Sequence, residues 1–282
     1  MKPPMTRRAF AAALIALSLA ACDKKPNDPA PIASQPPAPT AKLTVLAAAS
    51  LSGAFREIGA AVESANPGVK LEFSFAASNQ LRTQLDNASP GDIFASADRK
   101  QMDAAIASKV VDAPTSRVFT HNQLVVIVPK ANPAKIESLA DLARPSLKIV
   151  VADKAVPVGN YTRLMLDNAA KDAAMGEKFV AAFDASTVSR EQSVAAVVAK
   201  VSLAEADAGI AYASDAKGAS AAKLTAIPIP AALAPRADYL VAVTSRAANP
   251  KLAAKFIEFL LSPVGRDTLA KHGFTPPQPA SN

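Results

Sequence analysis

Leu43-Thr-Val-Leu-Ala-Ala-Ala-Ser-Leu51 opens as a β-type apolar run and closes on small residues, and Ser52 to Ser64 then carries helical apolar spacing. A strand that runs through small residues into a helix brings unpaired backbone N–H groups and a partial positive charge to the strand's end. Three distant segments repeat this pattern: Phe75-Ala-Ala-Ser-Asn79, Val156-Pro-Val-Gly-Asn-Tyr161 and Gln192-Ser-Val194. A fifth, Ala208-Gly-Ile-Ala-Tyr212, ends a strand on a phenol. Helix starts that converge with hydroxyls make an anion site needing neither a metal nor a cationic side chain.

Working outward, short β-type runs alternate with longer helical ones. Strands are expected over Leu43–Leu46, Val69–Phe75, Asp92–Ala95, Gln123–Pro129, Leu147–Ala152, Leu224–Pro228 and Leu240–Thr244. Helices are expected over Ser52–Ser64, Gln80–Asn87, Lys100–Ser108 and Asn249–Leu261. Such alternation predicts an α/β fold with mostly parallel sheets. Residues 120–130 and 237–246 are placed to carry the chain between two lobes and back, which predicts a cleft and a two-stranded hinge.

The ends are not fold. Lys2, Arg7 and Arg8 precede the apolar run Ala9 to Ala21, too short to span a membrane. Leu19-Ala-Ala-Cys22 looks like a bacterial lipobox, which predicts export, cleavage before Cys22 and a lipid on it. Arg7-Arg8 also resembles a twin-arginine signal, so the export route stays open. Six prolines between Asp23 and Thr40 make residues 22–41 an extended tether. The tail after Phe274 reads as disordered.

Without residues 1–21 the chain holds 28 basic and 24 acidic residues, a net charge of +4. Neither that balance nor the scattered basic residues suggest nucleic acid. With two histidines and Cys22 committed to lipid, no metal-ligand cluster is visible. Zero tryptophan argues against stacking sites for sugars or polyamines, and three scattered tyrosines (Tyr161, Tyr212, Tyr239) are too few for a ferric site. Ser214-Asp-Ala-Lys217 matches Ser-x-x-Lys, but no Lys-Thr-Gly accompanies it, so a serine hydrolase is a distant alternative. Asp92 and Asp98 are expected to shape a turn and cap a helix, and Tyr161 is open between packing and the cavity.

In order and spacing, Val45–Leu51, Phe75–Ser78, Asp92–Asp98, Val156–Tyr161 and Glu205–Tyr212 resemble the periplasmic molybdate-binding proteins of ABC importers. The resemblance covers about Leu43 to Phe274. It implies the type II binding-protein fold, two α/β lobes closing on a tetrahedral oxyanion. The first lobe would be residues 42–122 and 239–276, the second 123–238, with a free tail over 277–282. By motif, Ser50 and Ser78 would offer hydroxyl and backbone N–H, Val158 and Val194 backbone N–H, and Tyr212 its phenol. Ala49 and Asn79 would line the pocket, and a one-residue slip would move the donor from Val194 to Ser193. The implied ligand is molybdate or tungstate, with no cofactor and no chemistry. The implied partners are a permease and a separate ATPase, and the receptor would be a monomer. Sulfate, phosphate or another small oxyanion is the alternative ligand.

Overall fold

In the computed structural model, which describes residues 41–217 and 220–277, the opening stretch forms β1 (Ala41–Ala48). One 3-10 turn (Ala49–Leu51) leads from it into α1 (Ser52–Ala65). The export segment, Cys22, the tether before Ala41 and the tail from Gln278 lie outside the described residues.

The first sheet collects β1, β2 (Val69–Ala76), β3 (Ile93–Ser96), β4 (Arg117–Asn122) and β10 (Ala237–Val243) in the order β2-β1-β3-β10-β4. The second collects β5 (Leu124–Pro129), β6 (Ile149–Ala152), β7 (Thr187–Glu191), β8 (Ala208–Tyr212) and β9 (Leu224–Pro228) in the order β7-β6-β8-β5-β9. The layouts match. In each, a central strand has parallel neighbours, and an antiparallel strand (β10 or β5) lies beside the third. The chain leaves the first sheet at Gln123 and returns through residues 229–236. This is the two-lobe arrangement of type II periplasmic binding proteins.

The prediction of mostly parallel sheets needs correction. Four of the eight strand pairings among the described residues are antiparallel, and all four involve β5 or β10. Those strands adjoin the two crossings, where the chain changes sheet without a helix to reverse its direction. Four elements were not read from sequence: β4, α5 (Gly176–Ser186), β7 and α8 (Pro263–Lys271). β7 carries Ser189-Arg190-Glu191 on a sheet edge, so it lacks an apolar run. Thr275 is not loose either: it exchanges two backbone bonds with His121, of 2.8 and 2.9 Å.

Central strands are buried on both faces, as β3, β5, β6 and β8 are throughout, because helices cover both sides. On α1 the buried Phe55, Ile58 and Val62 point at the first sheet. Phe55 meets the rings of Phe73, Phe119 and Phe256 at 5.8–6.2 Å, joining α1, two strands and α7 (Pro250–Leu261) in one core. Asp92 ties the lobe's ends together: its carboxylate accepts from the Thr44 N–H at 2.7 Å and from the Ala248 N–H at 2.7 Å.

Candidate functional site

Four helix starts face one another where the sheets present their strand ends. The turn after β1 brings Ala49 and Ser50. Next to it, α2 (Ser78–Asp86) begins directly after β2 and Ala77. From the second lobe, α4 (Pro157–Lys171) follows β6, and α6 (Val194–Ser202) follows β7. These are the carboxyl ends of adjacent parallel strands, where open α/β sheets bind ligands. Together with Tyr212 at the end of β8, they enclose a small cavity lined by Ala49, Ser50, Ser78, Val158, Val194 and Tyr212. Asn79 is not among the lining residues.

The cavity is small, about 20 Å³, with room for a small ion rather than an organic molecule. Organic ligands need roughly 300 Å³ or more. A larger groove of about 450 Å³ adjoins on the Ser50 side and is lined in part by Arg56, Ser214 and His272.

The local sequence explains the approach. Pro157 sits at the first position of α4, where its missing N–H costs nothing. A Cβ at Gly159 would lie 2.0 Å from the Asp153 carbonyl oxygen and 2.6 Å from that of Ala152, so only glycine lets α4 start this close to β6. At α6, Ser193 is the cap: its hydroxyl accepts from the Ala196 N–H at 3.2 Å. That occupies the Ser193 side chain and makes Val194 the first helical residue.

Neither first-lobe serine is a cap. Ala48 and Ala77 hold those positions without side-chain bonds. The Ser78 hydroxyl instead accepts from the Ala97 N–H at 3.0 Å, which leaves its own proton for the cavity. The Ser50 hydroxyl lies 2.8 Å from the Tyr239 hydroxyl. Tyr212 is 1 % exposed, and its hydroxyl has no hydrogen-bond partner among the described residues. Leaving such a group unpaired costs about 1–3 kcal/mol, so an O–H aimed into a cavity marks a place for an acceptor. Burial pushes the phenols of Tyr212 and Tyr239 well above their ordinary value, so both keep their protons. Among the described residues, no charged side chain lines the cavity.

Asp98 caps α3 (Arg99–Ala107), accepting from the Gln101 N–H at 2.9 Å, and burial raises its pKa. Tyr161 packs in α4 away from the cavity lining, 8 % exposed. Ser214 accepts from the Asn122 side-chain amide at 2.8 Å. Sequence reasoning missed two groups that complete the site. The sequence offers Tyr239 only as a candidate ferric ligand, and the Ala97 backbone N–H, which holds the Ser78 hydroxyl, is announced by no side chain.

A model of the family described as bacterial extracellular solute-binding protein matches residues 43–275. A relative from Mycobacterium tuberculosis named molybdate-binding protein ModA is 38% identical over 266 residues, covering 94% of this chain and 95% of the relative. A ModA from Escherichia coli is 33% identical over 242 residues, covering 83% and 89%. Among solved structures, the periplasmic molybdate-binding protein of Azotobacter vinelandii superposes with a TM-score of 0.73 at 20% identity, covering 84% of this chain and all of that one.

Proposed function

The chain belongs to the bacterial extracellular solute-binding protein family, and from that premise we propose that it is the receptor of an ABC importer and that its solute is molybdate. Tungstate, alike in charge and shape, is bound as well. The observation that carries the reading is the buried Tyr212 hydroxyl, without a partner among the described residues, on a residue that lines a small cavity together with Ser50, Ser78 and the starts of α4 and α6.

The wall supplies protons and takes none. Ser78 has spent a lone pair on Ala97 and offers its O–H; the starts of α4 and α6 offer backbone N–H groups at Val158 and Val194. Ala49 completes the lining. A dianion with four bare oxygens satisfies all of these donors. Phosphate near neutral pH carries a proton that would meet a donor with no acceptor in reach, so it is disfavoured. Sulfate carries no such proton, and its rejection rests on size. Each hydrogen bond to the ion contributes about 1.5–3 kcal/mol. After desolvation and lobe closure, about −8 to −10 kcal/mol is expected, micromolar or somewhat tighter.

Closure of residues 42–122 and 239–276 on 123–238 draws donors from both lobes onto one ion, a hinge transition that a membrane permease with a separate ATPase reads. The exported receptor is a monomer, held to a membrane by lipid on Cys22 through the tether of residues 22–41. It performs no turnover: Ser214 is hydrogen-bonded to Asn122, and the Ser-x-x-Lys match is incidental.

Calorimetric titration of residues 40–282, refolded free of anion, tests this with molybdate, tungstate, sulfate and phosphate. One-to-one binding of the first two and silence from the others is expected. Heat from sulfate or phosphate alone would reassign the solute.

A further inference from the structure

We infer that Asn122, acting through Tyr239, aims the Ser50 hydroxyl proton into the cavity; the inference rests on the reading of that cavity as an oxyanion site. Ser50, Tyr239, Asn122 and Ser214 form one chain of hydrogen bonds, buried except at its half-buried Ser50 end. Its direction follows from the one member that cannot rotate its role.

The Asn122 side-chain oxygen accepts from the Gln123 backbone N–H at 2.9 Å. A flipped amide would point its own N–H bonds at that N–H, so the NH₂ group faces the other way. It donates to the Ser214 hydroxyl at 2.8 Å and, more loosely, to the Tyr239 hydroxyl at 3.4 Å. Tyr239 therefore receives a proton on its oxygen and must direct its own O–H elsewhere. The partner in reach is the Ser50 oxygen at 2.8 Å. Ser50 is then the acceptor of that bond, and its single proton is released toward the cavity it lines.

Tyr239 is held for this task. It is fully buried, and its ring is edged by Phe274 at 5.4 Å, Tyr212 at 5.7 Å and Phe119 at 6.5 Å. Asn122 is fully buried at the last position of β4, one residue before the chain crosses to the second sheet. Neither residue lines the cavity. Both are positioning residues, acting on the ion through Ser50.

A double-mutant cycle separates this relay from simple packing or charge. Asn122→Asp keeps the shape but replaces the donor with an acceptor. Tyr239 then turns its proton to the new carboxylate, Ser50 donates to Tyr239, and lone pairs face the anion. Molybdate titration should show about 10- to 100-fold weaker binding, the loss of one charge-assisted bond. In the Tyr239→Phe background the path is cut, and Asn122→Asp should cost less than about 3-fold more. An equal loss in both backgrounds would mean that the new charge acts through space, and the relay is overturned. So would unchanged affinity in the Asn122→Asp single variant. If that variant does not fold, Asn122→Leu serves: a several-fold loss with Tyr239 present and none with Tyr239→Phe supports the relay, and equal losses overturn it. A wild-type chain silent to molybdate, tungstate and sulfate would overturn the oxyanion reading together with the relay. Wild-type binding with insensitive variants overturns the relay alone.

Discussion

The two lobes bring the same topological positions to the cavity and fill them differently. In the first lobe the ends of β1 and β2 carry Ser50 and Ser78; in the second the ends of β6 and β7 lead to Val158 and Val194. The first wall works through side chains, each already tied to a neighbour, Tyr239 or Ala97. The second works through backbone, apart from Tyr212, and depends on how closely two helices can start. Side-chain donors are specified by residue type, whereas backbone donors are specified by whatever permits the approach. The two walls should therefore break in different ways.

The largest effect is expected from emptying the first wall. Ser50→Ala with Ser78→Ala removes two hydroxyl donors to a charged group and should weaken molybdate binding about 100-fold or more by calorimetry. The pair is not silent in stability. Ser78→Ala leaves the Ala97 N–H buried without its acceptor, and Ser50→Ala leaves the buried Tyr239 O–H without its own, so a modest fall in Tm should accompany each. Unchanged affinity in the double variant would refute the site.

Next comes the second wall, which a methyl group should break. Gly159→Ala must push α4 away from the Asp153 and Ala152 carbonyls. Overpacking of this kind costs about 1–3 kcal/mol, visible as a lower Tm, and should displace the Val158 N–H enough to lose most binding. Full binding with an unchanged Tm would show that α4 starts elsewhere.

Tyr212→Phe sharpens the contrast because its two effects have opposite sign. It deletes a donor to the ion, so affinity should fall about 10-fold. It also deletes an unpaired buried hydroxyl, so the ligand-free protein should be as stable as wild type or more so. Lower ligand-free stability would mean that the hydroxyl already has a partner.

The smallest effect on binding is electrostatic, and it shows in stability alone. Burial raises the Asp215 pKa to about 7, against the opposing bond from the Tyr212 N–H at 3.0 Å. A carboxyl whose folded pKa lies above its unfolded one favours folding while both are neutral. That contribution is lost as pH rises from about 4 to about 7. Asp215→Asn should gain stability over wild type at pH 8 and little at pH 4, read as the difference in ligand-free Tm at each.

How much of this was legible follows the same division. The first wall was readable because serine after a strand of small residues is a visible signal, although Ser50 is the second residue of its turn and Ser78 the first of its helix, and neither is the cap. The second wall was readable only through the family resemblance, since valine itself says nothing about an N–H; Pro157, Gly159 and the cap Ser193 explain the approach only once α4 and α6 are placed. Tyr239 was opaque: its partner Ser50 lies 189 residues away, and no local pattern joins them. β7 and α8 were missed because an edge strand of charged residues and a short helix behind Pro263 lack the periodicity that core elements display.

The place of β10 between β3 and β4 also bears on when the protein becomes competent. Every strand of the second sheet lies between Leu124 and Pro228, so a chain emerging from its N-terminus can complete that sheet first. The first sheet must wait for β10, and Tyr239 rides on that strand. Ser50 and Ser78 are thus made early and set late. On the proposed reading, a nascent chain has no finished anion chamber until its last strand arrives, and cargo capture is deferred to the end of assembly.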